Sequence, residues 1–277
     1  MEYKKILLLA MLALAITLGI RVAPAKASDY DNIGTASAVI DNKTGKVIES
    51  KNGSKKLPVA SLTKLMTALV LLDEKIDFKK KVTMTKGDMN YVNSYVSDGA
   101  STSKINLREG EQVKAVDLWN AMLIASSNEA AVALVRTSGI SSDKFVEKMN
   151  EKAKSLGLAE TRFTEYSGID PKNVSTAQEM AIIAKEAFSK KKISSSSTKS
   201  SYTMRVLNKK RSVTATNRNN NLLSMKPKGM KIGYLTEAKS NVAIVLKGKK
   251  KVGTIVVLHA DNLSVRNTEV KKMKTYL

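Results

Sequence analysis

Across residues 35–50 apolar and polar side chains alternate around Asn42-Lys43-Thr44-Gly45, and this period of two broken by a turn predicts two strands joined by a tight hairpin. The period then lengthens. Over 61–73 the positions Leu62, Leu65, Met66, Leu69, Val70 and Leu72 have the spacing of a buried helix, with Ser61 at its N-terminal end. A second helical pattern covers 117–135 through Leu118, Met122, Leu123, Ala131 and Leu134, and the polar tripeptide Ser126-Ser127-Asn128 interrupts it midway. Polar groups inside an apolar run need a reason. Further helices are predicted over 143–156, with Gly157 behind it, and over 176–188, behind Ser175. The Lys- and Ser-rich run 189–201 reads as an exposed loop. Strand character returns over 241–247 and 251–258, two β-branched runs separated by Gly248-Lys249-Lys250, and a closing helix follows over 266–277. Strands at both ends with helices between them predict one α+β domain, in which N- and C-terminal strands share an antiparallel sheet packed against a helical cluster.

The first residues carry a separate message. Lys4 and Lys5 precede an uncharged stretch, 6–20, and Ala25-Lys26-Ala27 then offers small residues at the two positions a signal peptidase reads. This order predicts an export signal over 1–27, cleaved after Ala27, with 28–277 as a single folded domain. A retained membrane anchor is the competing reading, but the apolar run is shorter than the ~20 residues a spanning helix needs, and Arg21 closes it.

Composition removes several kinds of chemistry. There is no cysteine, so an exported chain has no disulfides and no thiolate metal site. A single histidine, His259, rules out the usual multi-histidine zinc site; it ends a strand-like run with no motif around it, so it reads as structural rather than as part of a Ser-His-Asp triad. No metal and no cofactor is expected. The net charge is +22, and the first 27 residues hold four cations and one acid, which leaves +19 on the rest. Such a surface attracts polyanions; outside a cell these are anionic wall polymers or a membrane surface. Nucleic acid is not an expected partner, because the lysines are scattered, aromatic residues make up 5% and no binding motif appears.

Three short elements bear on catalysis: Ser61-Leu62-Thr63-Lys64, Ser126-Ser127-Asn128 and Lys231-Ile232-Gly233. Positions i and i+3 share a helical face, which sets the Lys64 amine beside the Ser61 hydroxyl. A serine needs a neighbouring base to become a nucleophile, and a lysine serves once burial and nearby cations depress its pKa. The helix N-terminus also favours negative charge developing there. Taken alone, the first tetrapeptide reads more simply as an N-cap serine followed by a surface lysine.

Its surroundings change that reading. The chain resembles the D-alanyl-D-alanine carboxypeptidase family of low-molecular-mass penicillin-binding proteins in the stretch from Pro58 through Ser61 and Lys64 to Thr67, and again from Leu123 through Ser126-Ser127-Asn128 to Ala131. The order and spacing of Phe145 to Asn150, Thr161-Arg162-Phe163, Ser167-Gly168-Ile169-Asp170 and Ser175-Thr176-Ala177 follow the family as well. The resemblance implies the penicillin-binding transpeptidase fold and a D-Ala-D-Ala stem peptide of peptidoglycan as substrate. Ser61 is then the nucleophile, neutral Lys64 its base and Ser126 the relay of a proton to the departing D-alanine. Asn128 would bind the substrate amide and Lys64, Lys231 would supply positive field, and the N–H groups of Ser61 and Tyr234, flanking Gly233, would form the oxyanion hole. β-Lactams would acylate the same serine.

The third element departs from the family's usual Lys-Thr-Gly-x-Thr, because Ile232 and Leu235 stand where the family has two threonines that bind the terminal carboxylate. Arg266 matches the family's arginine in that carboxylate pocket. Lys228 precedes Gly229 where an aspartate is common, and a β-rich C-terminal domain and amphipathic anchor of the family's type are not expected. Three readings stay open: a working carboxypeptidase, a catalytically weakened or non-catalytic wall-binding homologue suggested by Ile232 and Leu235, and a β-lactamase using Glu165 to activate water.

Overall fold

In the computed structural model, which describes residues 34–95 and 103–277, the alternating stretch becomes β1 (Ala36–Asp41) and β2 (Val47–Lys51). Asp41 makes the turn, its carboxylate accepting the backbone N–H groups of Lys43 at 2.7 Å and Thr44 at 3.3 Å. The predicted export signal, 1–27, lies outside the described residues. After the short β3 (Leu57–Pro58) a 3₁₀ turn over Ala60–Leu62 leads into α1 (Thr63–Asp73). Ser61 thus stands in a turn ahead of the helix, because Ala60 takes φ +47° and regular helical bonding begins only beyond it. From Thr63 to Leu71 α1 is buried on all sides, as expected of a helix with so little polar face.

The chain continues through β4 (Lys81–Thr83), α2 (Lys86–Asn90) and β5 (Gln112–Lys114) to α3 (Ala115–Ile124) and α4 (Asn128–Thr137). The helix expected over 117–135 is therefore two. Ser126 adopts φ +62°, and Ser127 turns out of the helical region so that its hydroxyl accepts the Ala130 N–H at 3.1 Å as an N-cap. The polar tripeptide is the joint between the two helices.

Next come α5 (Ser142–Ser155), capped by Ser141, the short β6 (Val174–Ser175), and α6 (Ala177–Ser189), capped by Thr176. The run read as an exposed loop instead contains α7 (Lys191–Ser197) and the first residue of β7 (Ser201–Arg205). Its few anchors suffice: Ile193 is fully buried, the Lys192 carbonyl accepts the Trp119 indole N–H at 3.2 Å, and the Ser197 hydroxyl accepts the Met230 N–H at 3.3 Å. β8 (Ser212–Thr216) completes a polar hairpin with β7.

The last third is α8 (Asn220–Leu223), β9 (Gly229–Leu235), β10 (Lys239–Lys247), β11 (Val252–Ala260) and α9 (Leu263–Lys274). One antiparallel sheet has the order β2-β1-β11-β10-β9, with β1 and β11 in register from Ala36 opposite Leu258 to Asp41 opposite Gly253. Strands from the two ends of the chain share it, as expected. Both faces are covered, which is why β10 and β11 read as continuous apolar runs rather than as alternating ones. On one face Val242, Ile244, Ile255 and Val257 meet Val270, Met273 and Leu277 around α9. On the other, Ala243, Val245, Val256 and Leu258 join the larger core formed with α1, α3, α4 and α6. β9 is an edge strand, and its free side faces the nucleophile turn.

Candidate active site

Three tethers hold the Ser61 turn. The Val59 N–H donates to the Asn173 carbonyl at 3.0 Å, the Asn241 side-chain amide donates to the Pro58 carbonyl at 3.1 Å, and the chain around Gly168 and Gly233 packs directly against it. A β-carbon on Gly168, whose φ is +79°, would lie 2.2 Å from the Ala60 carbonyl oxygen, and one on Gly233 would lie 2.9 Å from the Ser61 nitrogen. Only glycine lets β9 and the 168 loop approach so closely. Ser61 itself is 9% exposed, buried but reachable.

Lys64 is fully buried one helical turn on. Its amine nitrogen lies 3.0 Å from the Ser61 hydroxyl oxygen, 2.6 Å from the Asn128 side-chain carbonyl oxygen and in hydrogen-bond contact with the Ser167 backbone carbonyl. The last two partners can only accept. A neutral amine has two hydrogens and one lone pair, so with both hydrogens directed at Asn128 and Ser167 the lone pair is left facing the Ser61 O–H. Burial lowers the Lys64 pKa to about 7, against a smaller opposing pull from Glu165, so a large share of the amine is neutral near neutral pH.

Lys231 enters from β9. Its amine donates to the Ser126 hydroxyl at 2.7 Å and to the Ile232 carbonyl at 2.9 Å. Burial pushes its pKa well down, and the neighbouring Lys64 pushes it further. The two lysines therefore titrate as a coupled pair, and Lys231 keeps its proton most readily once Lys64 has lost its own. The positive field expected of Lys231 depends on that order.

Glu165 is 1% exposed and organises the loop that supplies the Ser167 carbonyl. Its carboxylate accepts the backbone N–H groups of Ser167, Gly168 and Ile169, the Ser167 hydroxyl at 2.6 Å and the Asn173 amide at 2.7 Å. Asn173 in turn reaches the Thr63 hydroxyl at 3.2 Å. Every lone-pair position of the carboxylate is thus engaged within the loop, which speaks against Glu165 as a base poised over a water at Ser61. Asn173 gave no sign in the sequence, since a lone buried asparagine belongs to no catalytic pattern.

A cavity of about 170 Å³ opens at Ser61, lined by Ser126, Asn128, Gly168, Gly233 and Tyr234. Ile232 and Leu235 line it as well, so the two departures from the family pattern face the site. Tyr234 is 65% exposed at the rim. Arg266 is not among the lining residues: it is 1% exposed on α9, with its guanidinium on the side-chain carbonyls of Asn219 (3.1 Å) and Asn267 (3.2 Å), and burial lowers its pKa to about 10. Arg218, which the motifs did not single out, lines the cavity instead. Nothing in its neighbourhood in sequence marks it; the turn after β8 brings it there. His259 is buried in β11, its backbone N–H donating to the Asn241 side chain at 2.8 Å, and it does not line the cavity.

A terminal-strand sheet backed by helices, with a buried Ser-x-x-Lys pair facing an edge strand, defines the penicillin-binding DD-peptidase fold. The crystal structure of the Streptomyces K15 DD-transpeptidase superposes with a TM-score of 0.77 at 27% identity, covering 88% of this chain and 95% of that one. The pattern of the D-alanyl-D-alanine carboxypeptidase family, peptidase S11, matches residues 24–262, and the chain belongs to that family. Among relatives, the D-alanyl-D-alanine carboxypeptidase DacF of Bacillus subtilis is 33% identical over 252 residues, which is 90% of this chain. The chain spans 63% of the length of DacF. The D-alanyl-D-alanine carboxypeptidase of Streptomyces sp. strain K15 is 30% identical over 96% of this chain and 94% of its own length.

Proposed function

We propose that the protein is a serine D-alanyl-D-alanine carboxypeptidase that removes the terminal D-alanine of peptidoglycan stem peptides through an acyl-enzyme on Ser61. The observation that carries this reading is the Lys64 amine, 3.0 Å from the Ser61 hydroxyl oxygen with its other partners limited to two carbonyls. Lys64 takes the Ser61 proton as the oxygen attacks the penultimate D-alanine carbonyl. The N–H groups of Ser61 and Tyr234 receive the developing oxyanion, fixed donors that need no reorganisation. Ser126, hydrogen-bonded to Lys231, hands a proton to the leaving amine. The Asn128 side chain holds Lys64 and the substrate amide, and water then cleaves the ester. Arg218 lines the cavity as the nearest free-standing candidate for the terminal carboxylate, with Arg266 acting from behind through Asn219. β-Lactams acylate the same oxygen.

Residues 28–277 form the working domain in this reading, and the protein acts outside the membrane after loss of residues 1–27. Among the described residues no helix is long and apolar enough to cross a membrane. The charge of +22 draws the protein to anionic wall polymers or a membrane surface.

Ile232 and Leu235 favour a second reading, a weakened or non-catalytic wall-binding homologue, because the cavity lacks the two hydroxyls they replace. One experiment separates the two. The mature protein and its Ser61→Ala variant are incubated with a D-Ala-D-Ala peptide and with a labelled penicillin. Release of D-alanine and covalent labelling by the parent alone support the enzyme; identical behaviour of parent and variant in both assays rejects it.

A further inference from the structure

A second cavity, of about 290 Å³, adjoins the one at Ser61, and the two share Ser126, Arg218 and Ile232 while Ser61 borders only the first. Since Ser126 protonates the departing nitrogen in the reading above, this chamber lies on the leaving-group side of the bond being cut. Its floor is apolar, from Ile105 and Ile124, and its wall carries the hydroxyls of Thr214 and Thr216 from β8. It is the roomier of the two cavities, although a single D-alanine would already fit beside Ser126.

Its charge is one-sided. Lys104 and Arg218 stand at the chamber, and no acidic residue lines it. Among the described residues neither cation has a carboxylate within ion-pairing distance. Asn219 lines the chamber too, and behind it the buried Arg266 guanidinium meets only amide oxygens. A buried cation without a counter-charge is costly and raises the positive potential in the adjoining space.

We propose that this chamber holds an acidic peptide chain as leaving group. The protein then cleaves the amide that joins a D-alanine carbonyl to the side-chain amine of a second, carboxylate-bearing stem peptide. The proposal rests on the acyl-enzyme reading of Ser61. Ser61 Oγ forms an ester with the D-alanine carbonyl carbon as the carbon–nitrogen bond breaks. The Ser61 proton, taken by Lys64, reaches the departing amine through Ser126, and water hydrolyses the ester to a carboxylate and the free hydroxyl. The loss of carboxylate-binding hydroxyls at Ile232 and Leu235 matters less for such a substrate, because the second strand brings contacts of its own in the chamber.

Three substrates test it with the mature protein: a monomeric D-Ala-D-Ala peptide, a peptide dimer joined through a side-chain amine with free carboxylates on the leaving strand, and the same dimer with those carboxylates amidated. The free-acid dimer is expected to be cut with a kcat/KM at least tenfold above that of the amidated one, and Lys104→Ala should shrink that preference. Thr214→Trp, which fills the chamber from an exposed strand position, should lower the ratio of dimer cleavage to D-alanine release at least tenfold, with penicillin labelling of Ser61 reporting that the variant is folded. Release of D-alanine without dimer cleavage overturns the proposal, as does equal cleavage of both dimers or a ratio unmoved by Thr214→Trp. Failure of the parent to acylate at Ser61 at all rejects the underlying reading, and this one with it.

Discussion

The Lys231 amine lies 2.7 Å from the Ser126 hydroxyl oxygen, and this contact joins the edge strand of the sheet to the joint between two helices. Ser126 holds φ +62° there, a conformation that an L-residue adopts only when its surroundings impose it. Without the break in the helix the hydroxyl would be carried away by the helical backbone of its neighbours. The polar tripeptide is therefore both the end of one helix and the reason a proton donor stands opposite Lys231.

The depressed pKa of Lys64 has a directional consequence. The base must be neutral to take the Ser61 proton, and burial brings its pKa down to about 7. Acylation of Ser61 by a penicillin is expected to speed up as pH rises from 5 through 7 and then to level off. A rate–pH profile measured by stopped flow checks this; a rate that falls across that window would assign the proton acceptor elsewhere.

Gly168 is the tightest point of the site. A methyl group there would sit 2.2 Å from the Ala60 carbonyl oxygen, at φ +79°. Gly168→Ala should cost about 1–3 kcal/mol of stability through strain alone and displace the nucleophile turn. Thermal unfolding and penicillin labelling should both report the loss, whereas Gly139→Ala, also at positive φ but with open space around it, should lower stability without touching the labelling rate.

Glu165→Gln separates two roles for that carboxylate. Replacing one oxygen by an NH₂ group turns an acceptor of backbone N–H groups into a donor facing them, an unsatisfied buried arrangement that costs about 1–3 kcal/mol. Acylation should slow together with the loss of stability, since the loop positions the Ser167 carbonyl against Lys64. A variant that acylates normally and only fails to turn over would identify Glu165 as a water-activating base.

Restoring a hydroxyl tests the departure at the third motif. Ile232 lines the cavity beside Ser126 and Gly233, so Ile232→Thr places an O–H where a substrate carboxylate approaches. One charge-assisted hydrogen bond is worth about 1.5–3 kcal/mol, which corresponds to roughly ten- to a hundredfold in kcat/KM for D-alanine release. Steady-state kinetics on a D-Ala-D-Ala peptide measure it, and an unchanged or lower kcat/KM would show that position 232 does not meet the carboxylate.

Much of this architecture is written in the chain itself. Strand and helix periodicities are short-range properties, so β1, β2, β10 and β11, and the helices behind Ser61 and Thr176, follow from the spacing of apolar residues. The Ser61–Lys64 neighbourhood is likewise local, because three residues along a helix fix the distance between two side chains. Where polar residues dominate, local pattern fails: α7 and the β7–β8 hairpin are held by a few long-range contacts, such as Trp119 with the Lys192 carbonyl, that no window of sequence contains. The electrostatics are also tertiary. Only packing buries Lys64 and Lys231 together and so depresses both, sets Arg266 behind Asn219 instead of in the cavity, and brings Arg218 to the rim in its place. Residue identities named the reactive groups; their protonation, their partners and the space beside them depend on segments far apart in sequence, because burial and proximity belong to the fold.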